Sequence, residues 1–202
     1  MTSATEPILP DTRLRLIEAA AEAFYTGGYN ISMETIAAHA GVAKQTLYNH
    51  FSSKEALFSE VVRRDAERMT TALEEDGGDL RARLLRFAIA FRALVMDQRC
   101  IALHRTLIAE SLRFPEMTRA FYESGPAHTL RGLTQLFDQE MRAGRLRSDG
   151  AGAAEFAADM LLGMLSGAER TRYLLGIEVR PAENDQDRAE KIVDCFLRIF
   201  VN

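Results

Sequence analysis

The chain has 202 residues, 47% hydrophobic and 27% charged, and a net charge of −4. This is the make-up of one or two ordinary globular domains with a sizeable core, which excludes a disordered chain and a broadly cationic nucleic-acid coat. The two cysteines, Cys100 and Cys195, lie far apart with no His or Cys at metal spacing, so the expectation is reduced thiols in a cytoplasmic protein rather than a disulfide scaffold or a metal centre.

Residues 1–10 carry Glu6, Pro7 and Pro10 and read as a disordered arm. They lack the basic start and apolar run of a secretory leader. No apolar stretch reaches the ~18 residues of a membrane span. Asp11 is a good N-cap, and Leu14, Ile17, Ala20, Ala21 and Phe24 mark the apolar stripe of a first helix, ended by Gly27-Gly28. Tyr29 and Ile31 are placed to staple the connection into a small core.

Residues 32–54 read SMETIAAHAGVAKQTLYNHFSSK. Ser32 can cap a short helix by accepting from free backbone N–H groups of its first turn. Ile36, Ala37 and Ala40 recur at helical spacing, and Gly41 supplies the positive φ that stops the helix. A second short helix from about Ala43 to Phe51 buries Leu47 and Phe51, four apart. Two such helices around a glycine turn form a helix-turn-helix. The outer face of the second carries Lys44, Gln45, Thr46, Tyr48, Asn49 and His50, side chains suited to base edges and phosphates. Ser52-x-x-Glu55 reads as a capping box for the next helix, with Lys54 at its start. Charge opposes this reading. The first 76 residues hold seven Lys+Arg against twelve Asp+Glu, a net of −5, although no acid falls between Thr35 and Lys54.

Ser32, Ile36, Ala37, Ala40, Gly41, Val42, Thr46, Leu47, Tyr48, His50, Phe51, Ser53, Lys54, Glu55 and Leu57 together resemble the DNA-binding signature of the TetR family of bacterial transcriptional regulators. Ala43 departs from it, standing where the family commonly has Ser. The resemblance implies an all-α fold: a three-helix helix-turn-helix DNA-binding domain, here residues 11–54, followed by a larger helical ligand-binding and dimerisation domain, here residues 79–202, with a connecting helix over 53–75. By the groove chemistry above, Gln45, Thr46 and Lys44 are the expected base readers, beside Asn49. Tyr48, His50, Lys54 and Thr35 are expected to hold phosphates.

In the connecting helix Leu57, Phe58, Val61, Val62 and Met69 supply the apolar side, and Arg63, Arg64, Asp65, Glu67 and Arg68 read as a solvated face. Glu74-Glu75-Asp76-Gly77-Gly78 is the clearest break. A helix follows with Leu80, Leu84, Phe87, Phe91 and Leu94 as its stripe and Arg81, Arg83, Arg86 and Arg92 on the expected solvent side. The next helix, from about Gln98 to Arg113, places Asp97, Ile101, His104, Ile108 and Ser111 along one face, a polar–apolar mixture that can line a pocket. His104 is equally readable as a satisfied core histidine. The string RFPEMTRAFYESGP, residues 113–126, resembles the AefR-like subgroup of the same family.

Residues 151–175 are dense in small side chains, with Gly163 and Gly167 four apart, which suggests close approach by another helix. Residues 187–201 offer Ile192, Val193, Phe196, Ile199 and Phe200. These two helices from each of two subunits make a four-helix dimer bundle, as the resemblance implies. Phe87, Phe91, His104, Ile108, Ser111, Met160 and Met164 are the candidate pocket residues for an unknown, mostly apolar small-molecule effector. No phosphate loop, nucleophile elbow, HExxH or CxxC is present, and His39, His50, His104 and His128 have no placeable acidic partner, so neither catalysis nor a cofactor is expected. The reading is a homodimeric repressor on a double-stranded palindromic operator; a helical scaffolding dimer without sequence-specific DNA binding is the alternative.

Overall fold

The computed structural model describes residues 11–74, 79–177 and 185–201. The expected arm over 1–10 and the break over 75–78 lie outside them. Among the described residues ten helices follow in order: α1 (Thr12–Gly27), α2 (Met33–His39), α3 (Lys44–His50), α4 (Lys54–Glu74), α5 (Leu80–Val95), α6 (Gln98–Glu110), α7 (Pro115–Ser124), α8 (Pro126–Arg142), α9 (Ala153–Leu174) and α10 (Asp185–Phe200). Among the described residues the one extended pairing is an isolated antiparallel bridge, Leu146 to Val201. None of the helices is long and apolar enough to cross a membrane.

Local chemistry sets the first boundaries. The Asp11 carboxylate accepts from the Arg13 amide at 3.3 Å, and Gly28 at φ 70° takes the chain out of α1. The Ser32 hydroxyl accepts from the Thr35 amide at 3.1 Å. Gly41, at φ 65°, turns α2 into α3, and Arg15 of α1 donates to the Ala40 carbonyl beside it at 2.6 Å. Ala43 caps α3 with no side-chain bond. At α4 the cap is Ser53, whose hydroxyl accepts from the Ala56 amide at 3.1 Å. The expected Ser52–Glu55 box is therefore displaced by one residue, and Glu55 instead accepts from the Tyr29 hydroxyl at 2.8 Å.

Two buried clusters share α4. Leu57, Phe58, Val61 and Val62 belong to the first, with Phe24, Ile36, Leu47 and Phe51. Phe24 stacks on Tyr29, and Phe58 meets both edge-on with centroids 5.1 Å away. A fully buried phenylalanine contributes about 1.5–3 kcal/mol, so this aromatic trio fixes α4 against the helix-turn-helix. Leu103, Leu107 and Met117 of α6 and α7 join the same cluster. One core thus runs from the N-terminal helices into the second half of the chain. Ala66, Met69 and Leu73 of α4 belong to the second cluster, around Phe87, Leu133, Phe137, Leu161, Leu165 and Phe196. Gly125, between α7 and α8, allows α4 close: a Cβ there would stand 2.7 Å from Val62 Cγ1.

Two expectations are corrected. Arg92, assigned to the solvent side of α5, is 1% exposed, because α9 and α10 both pack over α5. Its guanidinium donates to Glu169 at 2.9 Å, to Asp185 at 2.8 Å and to the Leu165 carbonyl at 2.7 Å. That carbonyl is available because α9 is kinked at Gly167, φ 54° and ψ −176°; an uninterrupted helix would give it the Glu169 amide. The glycine pair of α9 therefore divides its roles. Gly167 makes the kink, while a Cβ on Gly163 would meet open space within this chain. Second, α6 stops at Glu110 rather than Arg113, and its buried stripe is Cys100, Ile101, Leu103 and Leu107. That stripe is rotated by about one residue, near 100°, from the expected face.

Candidate DNA interface and central cavity

The short helix α3 sits with Leu47 fully buried and Lys44, Gln45, Tyr48, Asn49 and His50 exposed. Its outer face is a row of hydrogen-bonding groups with no core duty. Gln45 Nε2 donates to Asn49 Oδ1 at 3.1 Å, one turn apart. The Lys44 ammonium forms an ion pair with Glu34 of α2, and this partner raises its pKa. It also lies 5.7 Å from the Tyr48 ring centroid. Thr46 is half-buried. Thr35 is exposed at the start of α2, its hydroxyl 2.8 Å from that of Ser32. Lys54 is half-buried at the start of α4, with its ammonium 4.4 Å over the Tyr29 ring; burial lowers its pKa. All eight sequence-selected residues thus fall on three adjoining helix starts and the outer face of α3.

The seven selected pocket residues do not gather. A cavity of about 220 Å³ lies between α4 and the surrounding helices, and Phe91 and His104 line it. Phe87 is fully buried in the second core cluster. Met160 and Met164 pack half-buried against that cluster. Ile108 is 62% exposed, and the Ser111 hydroxyl donates to the Ile108 carbonyl at 2.8 Å. The rotation of α6 explains the last two: the stripe through Ile101 and His104 winds outward by Ile108.

The cavity is lined instead by residues that no single stretch announces. Tyr25 of α1 donates to Asp65 of α4 at 2.7 Å, and burial raises the Tyr25 pKa. Asp65, expected on a solvated face, is therefore a wall residue. Met69, Leu94, Val95 and Phe121 add apolar surface, and α9 contributes Leu162, Ser166 and Arg170. These three lie at i, i+4 and i+8, a helix-face signal readable in the sequence but not distinguished there from ordinary amphipathicity. His104 Nδ1 meets the Cys100 carbonyl at 2.8 Å, and its ring packs edge-on to Phe121 at 4.8 Å. A proton on Nδ1 satisfies that carbonyl and leaves Nε2 as an acceptor. Burial pulls the His104 pKa down to about 4 and pushes the Cys100 thiol up to about 12.

Comparison with known proteins follows the same division. Residues 16–61 match the bacterial regulatory proteins of the tetR family, and residues 82–202 match the AefR-like transcriptional repressor C-terminal domain. The HTH-type transcriptional regulator UidR of Escherichia coli K12 is 29% identical over 109 residues, which is 52% of this chain and 55% of UidR. The chain thus spans about half the length of the curated relatives it matches. A TetR-family transcriptional regulator structure from Mesorhizobium loti is 32% identical, with TM-score 0.73 over 95% of this chain and 97% of that one. The structure of the flavonoid-responsive regulator FrrA is 31% identical, with TM-score 0.65 over 94% and 97%. With the helix-turn-helix and the helical body both matched, the chain belongs to the TetR family of transcriptional regulators.

Proposed function

We propose that this protein is a homodimeric, cytoplasmic repressor that binds a palindromic DNA operator and leaves it when a small, mostly apolar ligand fills the central cavity. The observation that carries this reading is the outer face of α3, where Gln45, Tyr48, Asn49 and His50 are exposed over a fully buried Leu47. Stability of the fold does not require polar groups there; groove recognition does. Gln45, Thr46 and Lys44, with Asn49, read bases. Tyr48, His50, Lys54 and Thr35 hold phosphates and set register.

Dimerisation through α9 and α10 is supported by their uncovered apolar surface. Phe156 is 62% and Ile199 47% exposed, and Gly163 leaves room for a close backbone. Two copies of α3 then enter successive major grooves about 34–36 Å apart. Release is a population shift through α4. Its first turn adjoins α3, and its Val62, Asp65, Ala66 and Met69 line the cavity. A ligand acts there by the difference in its affinity for the two settings of that helix. The flavonoid response in the name of FrrA, 31% identical, accords with an effector of low polarity.

The test is selection of bound duplexes from random DNA by the purified protein at ~0.15 M salt, where non-specific binding is weak. Enrichment of a palindrome with half-sites one helical turn apart is the expected result. A folded dimer that enriches nothing is instead a helical scaffold.

A further inference from the structure

Among the described residues, Arg170 is the charged lining residue of the cavity whose side chain lacks a partner. The half-buried Arg63, Arg64 and Arg83 each reach a carboxylate or carbonyl, and the buried Arg92 has three such partners. Arg170, half-buried in the wall, makes no hydrogen bond or ion pair to any described residue. Burial lowers its pKa, the mark of a guanidinium held partly out of water without compensation. The hydroxyl of Ser166, four residues earlier and also lining the cavity, likewise has no hydrogen bond among the described residues.

The other titratable lining groups do not fill this gap. Cys100, held up to about 12, and His104, held down to about 4, are uncharged near neutrality. Tyr25, raised further by burial, is also neutral and donates to Asp65. The Thr129 hydroxyl donates to the Gly125 carbonyl at 3.1 Å. Asp65 is thus already hydrogen-bonded, and Arg170 is left as the cation of a mostly apolar space. Phe91, Leu94, Val95, Met69, Leu162 and Phe121 wall that space. Its volume of about 220 Å³ is below the ~300–1,000 Å³ of sites for drug-sized ligands.

We propose that the effector is a small amphipathic monoanion, a carboxylate on an apolar body, with its head on the Arg170 guanidinium and beside the Ser166 hydroxyl. This deepens the regulator reading and rests on the cavity being its effector site. A planar guanidinium accepts a carboxylate through two parallel hydrogen bonds, and the exchange relieves a partly desolvated, unpaired charge. Asp65 of α4, lining the same cavity, sets the limit of one negative charge, because a second would meet its carboxylate. The apolar body takes the remaining volume against the aromatic and aliphatic side chains.

The experiment is calorimetric titration of the full chain, free of DNA, at neutral pH. Four probes form two matched pairs: octanoate with methyl octanoate, and 3-phenylpropanoate with its methyl ester. Octylamine is the cationic control. At least one acid is expected to bind roughly 10- to 100-fold more tightly than its ester, the size of one or two charge-assisted hydrogen bonds. Arg170→Gln removes that preference, and Arg170→Lys keeps part of it, with helical content by circular dichroism unchanged. Ser166→Glu, which places an internal carboxylate in the same cavity as Arg170, abolishes acid binding in the same way and serves if Arg170→Gln does not fold. Equal affinity for acid and ester, tighter binding of octylamine, no binding of either acid, or an acid preference that survives in Arg170→Gln each overturns the proposal. The duplex selection is independent of it. A palindrome without acid binding fails this inference alone; acid binding without a palindrome fails the regulator reading and leaves the anion site standing.

Discussion

The start and the middle of α4 carry opposite kinds of site. At its start, the candidate DNA face is made of exposed side chains from three adjoining helix starts, each positioned by a local cap or a glycine turn. Four residues on from Phe58, Val62 opens the wall of a cavity to which α1, α4, α5, α6, α7, α8 and α9 all contribute. Polar groups at the first site face water and pair only with exposed neighbours, as Lys44 does with Glu34 and Gln45 with Asn49. Charged and titratable groups at the second are neutralised by burial or tied to a partner among the described residues, with Arg170 the exception. Substitutions at the first site should therefore change DNA binding and spare stability; substitutions in the buried ion pairs of the helices that wall the second should cost stability.

Arg92→Met tests that division most severely. It leaves Glu169, 4% exposed, without its 2.9 Å partner, and the nearest remaining cation is Arg188 at 3.4 Å. Removing one member of a buried pair costs about 3–5 kcal/mol, so the urea midpoint should fall sharply. Adding Glu169→Gln should recover a large part of the loss, because the uncompensated charge is then gone. Gln45→Ala, on the exposed face of α3, should stay within about 0.5 kcal/mol of the parent. A comparable loss for Gln45→Ala would erase the distinction between the exposed face and the buried interior.

His104 gives a smaller effect with a defined pH window. Burial holds its pKa at about 4 against an ordinary 6.5. Between those values the unfolded chain binds a proton that the folded chain does not. The stability contributed by the neutral ring is therefore complete above about pH 6.5 and is lost as pH falls toward 4. The loss is on the order of 3 kcal/mol. His104→Gln should flatten the stability curve across that window by a similar amount, measured by denaturant unfolding at several pH values. Parallel curves for parent and variant would mean that the ring is protonated in place and the cavity is wetter than its walls imply.

The same contrast explains what could be read from the sequence. Caps, glycine stops and i, i+4 apolar pairs are local signals, so Asp11, Ser32, Gly41, Leu47 and Phe51 located the first four helices within a residue or two. The cavity depends on the phase of each helix and on what crosses it. The buried stripe of α6 lies one position from the face that its polar–apolar pattern suggests, and that alone leaves Ile108 and Ser111 outside. Arg92 and Asp65 were assigned to solvent because charge in an amphipathic pattern ordinarily faces water. Their burial is decided by α9, α10 and Tyr25, far away in the chain. The kink at Gly167 was legible as an unusual glycine but not as a backbone turn, since a helical glycine can equally mark close packing.

The finest test lies on the DNA face itself, where Lys44 is paired with Glu34 across the α2–α3 turn, both side chains more than half exposed at 56% and 54%. The pair is screened by salt and weak, yet it decides how many cations α3 offers to DNA. While it holds, Glu34 occupies the ammonium that a phosphate or guanine would need. Glu34→Gln releases it. If Lys44 reaches a phosphate, affinity for operator and random duplexes should rise together at low salt, and the log–log salt slope should steepen by about 1 for each recognition helix. If Lys44 reads a guanine, the operator should gain and random DNA should not. An unchanged slope and unchanged affinity would remove Lys44 from the interface, leaving Gln45, Asn49 and the half-buried Thr46 to carry base recognition. That outcome would also explain how so acidic an N-terminal region serves: its non-specific affinity would rest on the few phosphate contacts of Tyr48, His50 and Lys54.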